Sequence, residues 1–324
     1  MRVAGVQQTS NKILSALAFT LVQASYYLLA LNVLLSSTVA VIGNSLIVYA
    51  TIRSKSLRST CNVLIALMSF ADVLQALGQH VMVISYIILP HHVMPHRDCV
   101  YLQLVPNFGI FFSISLLLCV AIDRLLSIQY FYARVIQNYK EIYTAGHVIA
   151  ALVYSLTFIV WIVAGSFNDK NVVCVITVPW ITGIMHLVIT KSIFLINILV
   201  IVCYALFLFL IRRAKMSNDA MRNIYKTLIV ISLSVILGWL TTNFVGTFAP
   251  LFRCSRMEAA MMAGLFVNTS CAVSFFICYA TSAEYRLVFQ KHIFCGICKS
   301  DDVLRVIPAT EMTRRRTTAT LTIA

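Results

Sequence analysis

Seven stretches of apolar residues, near 24–52, 61–89, 99–128, 143–165, 183–211, 223–250 and 257–280, alternate with short polar segments. Each is long enough for an α-helix to cross the roughly 30 Å hydrocarbon core of a bilayer with some tilt. Helices are required because lipid offers backbone amides no partner outside their own segment. The apolar run ahead of residue 24 begins near Ile13, longer than one crossing needs, and predicts an extension of the first helix by residues 13–23. Ala16-Leu17-Ala18 has the small-x-small form of a cleavage site, but the apolar core before it is too short for a cleavable signal. The third stretch is the most informative. Cys99 opens it and Asp123-Arg124 closes it, 25 residues on, or about 37 Å at ~1.5 Å per residue. One helix would thus carry a disulfide-competent cysteine to one membrane face and a charged pair to the other.

Composition agrees with this pattern. The 324 residues are 60 % hydrophobic and 11 % charged, against about 25 % charged in soluble domains. The net charge of +14 is no sign of a nucleic-acid partner, because the basic residues sit in short segments between apolar runs and form no aromatic-interleaved face. Their distribution is a topology signal. One set of alternate segments holds 18 Lys and Arg and the other holds seven, and the richer side is cytoplasmic. The expected protein is a multi-pass plasma-membrane protein with the N-terminus extracellular and the C-terminus cytoplasmic. Its parts are an extracellular 1–23, a seven-transmembrane helix bundle over 24–280, a short amphipathic eighth helix over 281–294 and a cytoplasmic tail over 295–324. The fold class is all-α membrane protein, with membrane lipids as partners.

The cysteines divide by depth. Cys99 and Cys174 fall in outer segments, where disulfides form, as does Cys254. Cys61, Cys119, Cys203, Cys271 and Cys278 lie in spans and read as small packing residues. Cys295 and Cys298 follow the last span and suit palmitoylation better than zinc; no metal or cofactor is implied. Asp72 is the one carboxylate deep in a span. Two readings stay open for it, a structural contact with Asn44 or a cation or proton site coupled to a switch. Asp123-Arg124 alone would read as an interfacial anchor reaching the headgroups.

Together these residues resemble the rhodopsin-like G-protein-coupled receptors over nearly the whole chain. The resemblance rests on Gly43-Asn44, Asn62, Asp72, Cys99, Asp123-Arg124, Cys174, Tyr204, Trp239 and Tyr279, and on Glu284-Tyr285-Arg286 at the start of the eighth helix. The stretch from Thr51 through Leu67 is similar to nematode serpentine receptors of class SX. The resemblance implies a Cys99–Cys174 disulfide and an extracellular ligand. It also implies coupling to a heterotrimeric G protein through Asp123, Arg124, Tyr204 and Tyr279, and an ion or switch site at Asp72, Asn44 and Ser113. The chain departs from the family pattern at Leu125 after Asp-Arg, and at Ile196 and Thr241 where prolines are usual. A further departure is Phe275-Phe276-Ile277-Cys278-Tyr279 in place of Asn-Pro-x-x-Tyr. Gly238 is the expected source of bending in the sixth span. Met221 stands where many members carry a carboxylate, so a cross-helix ionic restraint is expected to be missing.

Amine receptors of the family hold their ligand with an Asp seven residues past the third-span cysteine; Pro106 stands there, and an apolar site cannot offset the desolvation of a cation. The expected ligand is a neutral or weakly polar small molecule, with a short peptide as runner-up because of Arg253 and Arg256. Asn107, Ile110 and Phe111 recur at helical spacing. They are expected to share a cavity with Tyr86, Ser192, Trp239, Thr242, Asn243, Met261 and Leu265. A transporter or channel would need several polar pathway residues or a repeat. An intramembrane enzyme would need paired acids or a Ser/His set, and His80, His147 and His186 lie alone or at span ends.

Overall fold

The structure is a computed structural model that describes residues 2–166, 170–180, 183–213, 219–248, 251 and 256–292. Its long helices are α1 (Arg2–Arg53), α2 (Thr60–Ile88), α4 (Leu104–Leu126), α5 (Tyr130–Ala164), α6 (Gly183–Arg213), α7 (Asp219–Phe248) and α8 (Arg256–Thr281). Two short ones are α3 (His96–Leu102) and α9 (Ala283–His292). Six of them have a stretch long and apolar enough to cross a membrane, and α7 carries a further apolar stretch over Ile229–Val245. Together these make the seven-helix bundle, with α9 as the short eighth helix.

The predicted third span is two helices. Pro106 has no N–H to offer the carbonyl of Leu102 and its ring crowds that carbonyl. The helix accordingly breaks one residue later, at Gln103, and restarts with the Asn107 N–H on the Gln103 carbonyl at 2.9 Å. α1 runs unbroken from Arg2. α5 starts at Tyr130, before the apolar stretch, and bends at Tyr139. Ser59 caps α2, accepting the Asn62 N–H at 3.3 Å.

α4 is the central helix. Of its apolar stretch 78 % is buried, against 22 % of that of α5. The outer faces of α1, α5 and α6 present Leu31, Leu35, Ile149, Val160, Leu187 and Leu195, a belt that suits lipid and not water. The main core follows α4 along the bundle, and a smaller apolar cluster surrounds Cys99 and Cys174. Close approach is written into particular glycines. A methyl group at Gly109 would lie 2.6 Å from the Ala71 carbonyl of α2, and one at Gly43 2.8 Å from Phe275 Cβ of α8. Gly238, expected to bend its helix, instead lets α7 lie against α8, where a Cβ would meet Ser270 Oγ at 2.5 Å.

α9 is held at the opposite end from Cys99. Tyr285 and Phe289 are buried; the Tyr285 hydroxyl meets Thr51 Oγ1 of α1 at 3.2 Å, and the Phe289 ring packs 5.0 Å from that of Phe275.

Candidate functional site

At one end of the bundle, Cys99 of α3 is bonded to Cys174, their Cα atoms 5.4 Å apart. The segment around Cys174 is tied down further. Met94–Pro95 and Asn171–Val172 form a two-residue antiparallel ladder, and the His96 N–H donates to the Lys170 carbonyl at 2.9 Å. Asn107 completes the attachment. Its Nδ2 donates to the Ile176 carbonyl at 3.0 Å and to Gln103 at 2.8 Å, while its Oδ1 accepts from Trp180 Nε1 at 2.7 Å. The segment is therefore a lid across the start of α4.

Half-way along the bundle, Ser113 Oγ donates to Asp72 Oδ1 at 2.5 Å, and Asp72 Oδ2 has no partner among the described residues. Asn44, expected beside Asp72, points its amide elsewhere. Its Nδ2 donates to the Ala40 carbonyl and, at 3.1 Å, to the Cys271 carbonyl of α8. A side chain that satisfies a backbone carbonyl across helices is a structural tie.

At the far end, Asp123 is fully buried and ion-paired with Arg124, whose Nε and Nη2 both donate to Oδ2. The other carboxylate oxygen accepts from the Tyr132 hydroxyl at 2.8 Å. Tyr204 of α6 is buried and accepts from Ser232 Oγ of α7 at 2.8 Å. Tyr279 stacks with Phe275 and Phe289. The four residues expected to couple are thus at one end, but each is held by a neighbour.

The sequence profile of the serpentine-type seven-transmembrane GPCR chemoreceptor family Srsx matches residues 37–293. The chain belongs to this chemoreceptor family. Squid rhodopsin has a similar fold: the superposition covers 86 % of this chain and 89 % of that one, with a TM-score of 0.64 and 18 % sequence identity. A comparison with curated proteins finds no match.

In the receptor the ten expected lining residues fall in both apolar clusters and in several polar contacts. Met261 is buried in the disulfide-end cluster, with Tyr86 and Leu265 packed against it. The Tyr86 ring lies 4.0 Å from that of His92. Ile110, Phe111 and Trp239 belong to the main core, with Phe111 5.1 Å from the Phe158 ring. Ser192 meets the Tyr154 hydroxyl at 2.6 Å. Thr242 bonds to Gly238 and to the Ala263 carbonyl of α8, and Asn243 to the Trp239 carbonyl. His80 bonds to Thr38 and Ala76, while His147 and His186 pack on Tyr143 and Trp180. Arg253, Cys254, Cys295 and Cys298 lie outside the described residues, as do the side chains of Met221 and Arg256. Tyr132 and Trp180 were missed in sequence. Tyr132 had a signal, since a tyrosine eight residues past Arg124 on the next helix can fold back on a buried Asp123. Trp180 had none.

Proposed function

We propose that this chemoreceptor binds an extracellular ligand at the disulfide end and activates a heterotrimeric G protein at the Arg124 end, from the plasma membrane. The observation that carries the reading is the buried Asp123–Arg124 pair with Tyr132, set beside a Tyr204 that is engaged with Ser232. These are two discrete contacts that a ligand can exchange for another set by favouring the state in which they are open. Opening would free Arg124 and Tyr204 to meet the G protein. In this reading the Arg124 end is cytoplasmic, which the basic asymmetry of the segments supports. The ligand is a neutral or weakly polar small molecule, because the buried side chains described at the disulfide end include no acid to balance a cation. Trp239, buried between the ligand end and Tyr204, passes the change inward. Expression of the full chain with a G-protein reporter, screened against small metabolites and short peptides, tests the reading. A ligand should be found to which the wild type responds and an Arg124→Ala variant does not. Robust activation by dopamine, serotonin or octopamine at low concentration would overturn the ligand class.

A further inference from the structure

We infer that the ligand's polar groups are held by an amide-lined site between α2, α4 and α8, formed by Gln75, Gln79, Gln103 and Asn268. This site takes a small neutral molecule with at least two hydrogen-bond donors, hydroxyl or amide N–H. The inference rests on the receptor reading above and gives the ligand different contacts from the lining expected in sequence.

Gln75 and Gln79 follow Asp72 at three and seven residues, so all three lie in one stripe along α2. Both glutamines are 3 % exposed, and Gln103 and Asn268 are fully buried. Gln79 stands against α8: a Cβ on Gly264 would meet its Oε1 at 2.8 Å and its Nε2 at 3.1 Å. The two helices run in opposite directions. Asn268 lies one turn from Gly264 on α8, as Gln75 lies one turn from Gln79 on α2. Gln103 closes the same layer from the break between α3 and α4, its Nε2 donating to the Gly78 carbonyl at 3.1 Å. Two helices and the break between α3 and α4 thus supply four polar side chains to the region beneath the lid.

Their hydrogen bonds are incomplete. Gln79 Oε1, Gln103 Oε1, Asn268 Oδ1 and Asn268 Nδ2 have no partner among the described residues. Native interiors keep few such atoms, and one explanation is a partner from outside the chain. Purely structural contacts between membrane helices pair their polar groups with each other; Gln103 makes one such tie, to Gly78, but Gln79 Oε1 and both polar atoms of Asn268 make none among the described residues. Three of the four atoms are carbonyl oxygens, so the complementary ligand supplies donors. The four side chains carry no charge, and Asp72, further along the stripe, is engaged by Ser113, so the ligand proposed is neutral.

The test uses the purified full-length receptor in lipid nanodiscs and measures its thermal midpoint. The probes are propane-1,2-diol and lactamide, with their O- and N-methylated counterparts. The donor-bearing probes should raise the midpoint of the wild type, and the methylated ones should not. Gln79→Leu and Asn268→Leu should each bind the probes about tenfold more weakly, the loss of a hydrogen bond or two. Their probe-free midpoints should be unchanged or higher, which shows that they fold and that the amides are not packing groups. No shift of the wild type by either donor-bearing probe would overturn the site, as would wild-type probe affinity in both variants. A G-protein reporter run with the same probes separates the two readings. Binding lost in the variants, with a silent reporter in the wild type, keeps the site and sinks its link to signalling. Signalling that survives in both variants sinks the site alone.

Discussion

Asp123 has two donors and one charge partner, and no solvent to replace either. Removing one side of a buried ion pair leaves the other uncompensated, which makes Arg124 a residue whose loss is felt at once. Arg124→Ala should leave ligand binding largely intact and abolish G-protein activation in a reporter assay; normal signalling would refute its role. Tyr132→Phe should act in the opposite direction. It removes one charge-assisted hydrogen bond, about 1.5–3 kcal/mol, from the contact that keeps Arg124 engaged. Basal reporter activity should rise above that of the wild type, which is itself expected to be appreciable. A silent wild type in the absence of ligand would remove that last expectation without touching the role of Arg124. At this scale the charged residues were legible in sequence, because a charge in an apolar run has few innocent explanations. The partners were not. Asn107 bonds to the carbonyl of Ile176, and backbone acceptors are the same in every residue. Gln75 and Gln79 stand at helical spacing from Asp72, but no sequence pattern tells that Gln79 faces Gly264 of α8.

Helices were the most legible feature, since lipid leaves the backbone no other way to cross. The exception is the third span, which breaks at Gln103 because of Pro106, a residue noted in sequence only for the charge it lacks. Helix spacing was not legible. It depends on which glycines face a neighbour, and two of them make opposite predictions. Gly109→Ala should destabilise the bundle by about 1–3 kcal/mol through overpacking, since its methyl group would sit 2.6 Å from a backbone oxygen. Gly146→Ala on α5 meets nothing within 4 Å and should be neutral or stabilising by up to about 1 kcal/mol from helix propensity. Thermal midpoints of the two variants check this; equal losses would mean that α2 and α4 are not packed as described.

For the whole molecule, the Cys99–Cys174 bond closes a loop with a sequence separation of 75 residues. Its removal by Cys174→Ser should cost about 2–5 kcal/mol and release the lid. Mass spectrometry of the oxidised protein should find the Cys99–Cys174 peptide; a Cys174–Cys254 peptide would contradict it. An N-terminal epitope should bind antibody on intact cells, and a need for permeabilisation would invert the topology. How the helices would move follows from one contact. Among the described residues, α7 lies on α8 through the Gly238–Ser270 approach and the Thr242 bond to Ala263, and meets α6 through the Tyr204–Ser232 bond. Among the described residues the stronger seam is therefore between α7 and α8 and the weaker one between α6 and α7. If activation prises the bundle open, it should split along the weak seam and swing α7 and α8 as one plate. Paired spin labels would show this as a constant α7–α8 distance while the distance from α7 to α6 lengthens.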